Sequence, residues 1–346
     1  MTTMLALIGC STTDGEPGIR SARVHADGAI EPCGALAMES PSCVVWHPRL
    51  PVAYATNETL AGGITAVTVA ESGAMEVIGT APTGATPCHA AVTRDGRWLL
   101  TADYLGGTVS LVALAPDGRP QATVDRVQMT GSGPHPERQD APHPHMVAVD
   151  VAGENVLCVD LGTDRLTSLA ITRDGRLERR HAWVLPPGTG PRQVVSHPGR
   201  AGVLVIGELS ATLLHLNLEK RGDSDGVADE TVAEVISEVR TTASHETTYP
   251  AQIATTGEGA HVVVSNRGPD SLAVFDTGSA SLVRVAETPA GVSWPRHFAV
   301  VGGYVLVVGE RSAAIASYEF GVAGQLGAPT GRLATPAPTW IAVRPA

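Results

Sequence analysis

Seven prolines divide this chain into near-copies of one short phrase. They are Pro41 (PSCVVWHP), Pro87 (PCHAAVTRDG), Pro144 (PHMVAVDVAG), Pro191 (PRQVVSHPGR), Pro250 (PAQIATTGEG), Pro295 (PRHFAVVGG) and Pro338 (PTWIAVRPA). Their starts lie 46, 57, 47, 59, 45 and 43 residues apart. Recurrence every 40–50 residues or so, carried by strands alone, predicts an all-β repeat fold, a seven-bladed β-propeller. A sandwich does not explain seven copies of one internal pattern.

The second copy gives the pattern within a blade. PCHAAVT alternates as a strand, RDGR turns, WLLTADY returns, GG breaks the chain, TVSLVAL makes a third strand and PDGR turns toward a fourth. Short runs of Val, Ala, Leu and Thr bounded by Gly, Asp, Asn and Pro are antiparallel meanders. The seventh copy stops after one strand, TWIAVRPA, while the N-terminus supplies MLALIGC, GIRSARV and, after the turn DG, AIEP. Together these complete one blade, so the N-terminal strands are expected to close the ring by pairing with the C-terminal strand, which protects its edges. Residues 1–346 then form a single propeller domain, its size tolerated because each blade has its own core.

Composition removes several classes of function. A formal charge of −11 argues against nucleic acid as a partner. No stretch approaches the ~20 apolar residues of a membrane span. LALIGC looks superficially like a lipoprotein box, but it has no basic n-region and its apolar run falls short of the ~7–15 residues needed, so it reads as a strand. Cys10, Cys33, Cys43, Cys88 and Cys158 are odd in number and lack CxxC spacing, which implies neither a disulfide framework nor zinc. Most fall in strands as small hydrophobes, and a reducing cytoplasm is the expected compartment. Lys220, the only lysine, lies in the run LEKRGDSDG, which reads as solvent-exposed, so Schiff-base chemistry is not expected. There is no SxxK, HExxH, Walker loop or strand-borne GxGxxG, and no GxSxG elbow, since GDSDG lies in that acidic run and not on a strand-to-helix turn. The histidines sit on separate copies without metal-site spacing, and neither a metal nor another cofactor is expected.

Chemistry must therefore come from residues that the ring gathers. The start of a blade's first strand and the end of its second lie at one rim. First-strand starts carry His89, His145, Arg192, Gln252, Arg296 and His297; second-strand ends carry Asn57, Glu58, Asp103, Tyr104, Asp160, Glu208, Asn266, Arg267, Glu310 and Arg311. Turn chemistry alone selects Asn57, Asp103, Asp160 and Glu310, and His47 and His197 belong to turns at the opposite end. Arg192 and Glu208 flank one hairpin and should be cross-strand neighbours. With Arg267 they would make a net cationic pocket for an anionic ligand, with His145 beside it. The loop TGSGPHPERQDAPHPH, which contains Arg138, inflates one spacing and runs straight into His145; long ordered loops at a rim tend to be functional. The other inflated spacing holds RGDSDGVADETVAEVISEV, read as a solvated acidic excursion followed by an ordinary outer strand, without a role.

These blocks resemble the lactonase-type seven-bladed propellers, a family that includes propeller 6-phosphogluconolactonases and the fungal carboxy-cis,cis-muconate cyclase. The resemblance spans nearly the whole chain through PCHAAVTRDGRWLLTADYLGGTVSLVAL, GSGPHPERQDAPHPHM, VDLGTDRL, GTGPRQVVSHP, GELS, SNRGPDSLAVF and PRHFAV. It implies a catalytic histidine at His145, two arginines at Arg192 and Arg267, and a glutamate at Glu208. Two positions depart from the family pattern: Gln193 replaces a usual His, and Gln252 a frequent Glu. The leading expectation is hydrolysis of a small anionic sugar lactone, foremost 6-phosphogluconolactone, with Glu208 as base and His145 as acid. His89, Tyr104, Arg138, Gln252, Asn266, Arg296 and His297 are the expected substrate-binding residues. A muconate-type cycloisomerase and a noncatalytic binding scaffold are the alternatives.

Overall fold

The second strand of each blade is apolar on both faces, and the fold follows from burying both at once. Along Val203–Gly207, Val205 joins a cluster with Leu166 and Trp183 of the preceding blade, while Leu204 and Ile206 join Ile253 and Val264 of the following one. Strand alternation thus sends successive residues to two different neighbours. A computed structural model describes all residues except 1–2, 12–17, 151, 219–228, 257–258, 280, 322–324 and 345–346. It contains seven sheets, each built on four antiparallel strands, arranged as a β-propeller. The inner strands of blades 1 to 7 are Val44–Trp46, Pro87–Val92, Pro144–Val149, Pro191–Ser196, Tyr249–Thr255, Pro295–Val301 and Pro338–Val343. Each touches the next around a complete circle.

Blade 7 closes the ring as expected. Pro338–Val343 pairs with Met4–Cys10 through Ile8↔Ile341 and Leu7↔Ala342, and Ile19–Val24 and Ile30–Leu36 complete the sheet. LALIGC is therefore strand, as its sequence suggested. Turns follow their side chains: in RDGR, Asp95 Oδ1 accepts the Thr93 hydroxyl at 2.6 Å and the Arg97 amide at 3.1 Å. Among the described residues no helix is long and apolar enough to cross a membrane.

Two expectations change. The core does not lie within each blade; seven apolar clusters each span two adjacent blades, including one across the closure that joins Leu5, Leu7 and Ile19 to Val44, Ala53 and Val67. Burial of a large apolar side chain contributes roughly 1.5–3 kcal/mol, so the blade–blade interfaces supply most of the hydrophobic stabilisation. The segment read as a single outer strand also divides. Asp229–Val232 adds a parallel fifth strand to blade 3 beside Leu177–Val184, and only Glu234–Arg240 is the outer strand of blade 4. Arg165 Nε bonds Glu230 at 3.0 Å across this strap. Lys220 and the run RGDSDG lie outside the described residues, as does part of the GEGA turn at 257–258.

Candidate active site

Inner strands of this ring open on a shared irregularity. Pro87 pairs with Asp103 and His89 with Ala102, so Cys88 is left over in a bulge; the same count leaves over His145, Arg192 and Arg296 in blades 3, 4 and 6. A bulge re-aims its extra residue. All four displaced side chains line one cavity of ≈ 200 Å³ at the mouth of the central channel. At or just past the second strands, Glu58, Tyr104, Glu208 and Arg267 face them, and Arg138, Tyr249 and Trp294 complete the wall.

Glu208 is the hub. Its Oε2 accepts Arg192 Nη1 at 2.5 Å and Arg267 Nη2 at 2.7 Å, and its Oε1 accepts Arg138 Nη2 at 2.7 Å. Backbone carbonyls of blade 5 aim two of these guanidiniums: Ala251 O takes Arg192 Nε at 2.8 Å and Tyr249 O takes Arg267 Nε at 3.0 Å. Arg138 comes from the Pro/His loop, which Gln139 anchors by donating to Leu161 O at 2.9 Å and Asp164 Oδ1 at 2.8 Å. Arg138 remains a third exposed, whereas the other members of the hub are buried. Burial alone would raise the Glu208 carboxyl, but the opposing charges of Arg267, Arg192 and Arg138 outweigh it and hold the group well below the usual range. Burial also brings Arg267 down to about 10, against the pull of Glu208.

His145 accepts from Arg192 as well, Nη1 to Nε2 at 2.5 Å. A guanidinium only donates, so Nε2 holds a lone pair and the proton of the neutral ring is on Nδ1, 3.9 Å from Cys88 Sγ. Burial, and then the charge of Arg192, hold His145 well below the ordinary histidine range, so the ring is neutral at neutral pH. Burial pushes the Cys88 thiol well above its usual range; it lies 3.6 Å from the carbonyls of Pro144 and His145. Across the cavity, Trp294 carries Arg311 over its ring at 3.4 Å and Arg267 at 5.4 Å.

The ring thus brings His145, Arg192, Glu208, Arg267, Tyr104, Arg138 and Arg296 to one cavity, and sets four expected binding residues apart. His89 and His297 follow their bulges by one residue and do not line the mouth cavity. His89 lines a smaller adjoining chamber that shares Cys88, His145, Arg192 and Arg296 with the mouth, and His297 stacks on Trp340 at 3.7 Å. Burial brings His89 down to about 4 and places His297 well below its usual range. Gln252 lies within the wider irregularity between Pro250 and Ile253 and bonds back to Ile253 O at 3.2 Å. Asn266 is fully buried and ties a turn, donating to Thr241 O at 3.0 Å and Ser271 Oγ at 3.2 Å. Asp103 and Asp160 are turn-tying residues, as their chemistry implied: Asp103 accepts from Thr101, Thr108 and Ser110, and Asp160 from the amides of His143 and Gly162. Glu310, expected to do the same, instead faces Arg296 at 3.5 Å. Cys88, Tyr249 and Trp294 were missed; only their place beside the blade-opening prolines could have flagged them.

Comparison with known proteins agrees with this architecture. Residues 5–343 match the family described as Lactonase, 7-bladed beta-propeller. The chain is 29% identical over 328 residues to the 6-phosphogluconolactonase of Bacillus subtilis (strain 168), covering 92% of both chains. It is 26% identical over 282 residues to that of Enterobacter sp. (strain 638), covering 79% of both. The solved structure of the Pseudomonas aeruginosa periplasmic gluconolactonase matches the fold with a TM-score of 0.87 at 22% identity, covering 99% of both chains. On the match across nearly all of its length, and on the seven sheets that the match describes, the chain belongs to the lactonase family of seven-bladed β-propellers.

Proposed function

We propose that this protein hydrolyses a small anionic sugar lactone, foremost 6-phosphogluconolactone, at the mouth of the propeller. One observation carries the reading: three arginines converge on Glu208 beside a neutral histidine that lines the same cavity and whose Nε2 accepts from Arg192. The names of the two curated relatives support the substrate class.

The charge states favour His145 over Glu208 as the base. A carboxylate held by three guanidiniums is a weak proton acceptor, and its role is to order the arginines. A carbonyl oxygen entering beside Arg192 draws off the Arg192 N–H and frees His145 Nε2. Nε2 then takes a proton from water as the water oxygen bonds to the lactone carbon. Negative charge moves to the carbonyl oxygen, where a preorganised donor such as Arg192 contributes about 3–4 kcal/mol. Collapse breaks the bond to the ring oxygen, and that oxygen receives the proton back from Nε2. Arg267 and the more exposed Arg138 hold the phosphate. A lactone-forming reaction on a muconate tricarboxylate fits less well, because Glu58 and Glu310 would oppose one of its carboxylates.

Hydrolysis of 6-phosphogluconolactone, followed by coupled oxidation of the product, tests the proposal. The wild type should exceed the buffer rate clearly, and His145→Gln should lower kcat by about 10²–10⁴-fold. Because His145 lies well below its usual range in the folded protein, kcat/KM should stay level through pH 6.5 and decline only at more acidic pH. A wild-type rate equal to buffer overturns the reading.

A further inference from the structure

The mouth is electrically two-sided. On one side three guanidiniums meet a single carboxylate, Glu208, leaving a surplus of positive charge. On the other, one guanidinium, Arg296, meets two carboxylates, with Glu58 at 3.4 Å and Glu310 at 3.5 Å, leaving a surplus of negative charge. Glu310 already gives Arg296 a counter-charge, so neutralisation does not require Glu58. Yet Glu58 lines the same cavity as His145 and Arg192. Among the described residues its side chain makes one long contact, to Arg296 at 3.4 Å, and a carboxylate has about four acceptor sites. A surplus acceptor in a half-buried wall suits a ligand that brings donors. It repels a second anionic group.

We infer that Glu58 is a specificity-determining residue that accepts hydroxyl hydrogens from the ring of the lactone. This rests on the function proposed above and refines it: the substrate is polyhydroxylated, with its single anionic group toward Arg138 and Arg267 and its hydroxyls toward Glu58. A site built to hydrogen-bond a hydroxyl discriminates strongly against an analogue lacking it, because the acceptor is then left unpaired.

The test compares kcat/KM for 6-phosphogluconolactone and its 2-deoxy and 3-deoxy counterparts, which share ring and charge, in the wild type, Glu58→Gln and Glu58→Ala. The wild type should prefer the parent lactone over at least one deoxy compound by about 10–100-fold, the range of a charge-assisted hydrogen bond. Glu58→Ala should shrink that preference to within a few-fold, and Glu58→Gln, which keeps a neutral acceptor, should shrink it less. If they slow all three lactones by one common factor, or leave the preference intact, Glu58 merely holds Arg296 and the inference falls. A wild type that opens none of the lactones defeats the proposed hydrolysis instead. Calorimetry with 6-phosphogluconate and its deoxy forms then decides the role of Glu58, since a hydroxyl acceptor requires the same loss of preference in Glu58→Ala.

Discussion

Glu208 concentrates the site's energetics in one side chain. Taking a carboxylate out of water costs several kcal/mol, and here three guanidiniums offset that cost. Glu208→Gln keeps the shape but leaves Arg192 and Arg267 buried against each other's charge, and should destabilise the fold by about 3–5 kcal/mol at pH 7. The pH dependence has a definite sign. The carboxyl is depressed in the folded protein relative to about 4.3 in the unfolded chain, so its contribution is complete above that value and is lost as pH falls through the lower, folded one. Thermal melts should therefore show a constant gap between wild type and Glu208→Gln from pH 7.5 to 5.5, narrowing below about pH 4; a gap that widens on acidification contradicts the account. Glu208, Arg192, Arg267 and His145 were legible in the sequence because charged residues among apolar strands need a reason to be there. Cys88 was not, because a cysteine within a strand reads as a small hydrophobe.

Among elements, the blade-opening turn combines three devices in three consecutive residues. The residue before the proline takes left-handed backbone at Thr86 (φ 50°), Gly190 (φ 55°), Trp294 (φ 61°) and Ala337 (φ 35°); proline follows, then the bulged residue. Glycine alone adopts that conformation without strain. Ala337→Gly should relieve about 1–2 kcal/mol of strain while giving back about 0.4–1 kcal/mol through a freer unfolded chain. A small rise in melting temperature is expected, and a fall would show that the turn is unstrained. The prolines were visible in the sequence and the bulges were not, for a physical reason. In a strand buried on both faces, an extra residue shifts the phase without exposing any hydrophobic or polar mismatch. That is why His89 and His297 were placed at the mouth, one residue too late. The strap was illegible for a related reason: ETVAEVISEV contains no Gly, Pro, Asn or Asp to mark a break, and only the adjacent blade determines that Asp229–Val232 leaves it.

As a whole, the molecule was the most legible level, because sevenfold recurrence survives local errors of phase. The ring matters to function since the cavity draws side chains from most blades, so its geometry holds only while the circle is closed. Closure depends on one strand. Pro338–Val343 pairs with Met4–Cys10, buries Ile341 against Ile8 and Leu306 in the blade 6–7 cluster, and brings Trp340 onto His297. At roughly 1.5–3 kcal/mol per large buried apolar side chain, the strand contributes several kcal/mol to a fold whose total stability is typically about 5–15 kcal/mol. Its removal also leaves Met4–Cys10 as an open edge, the arrangement that invites pairing between chains. A chain ending at Ala337 should therefore lose its cooperative thermal transition and associate on size exclusion, and a peptide of residues 336–346 added in trans should restore both monodispersity and the transition. Ile341→Ala, which keeps the strand, should cost only about 2–5 kcal/mol with the ring intact. If the shortened chain melts at the wild-type temperature with wild-type cooperativity, the remaining blades hold the circle without the clasp, and the mouth does not depend on it.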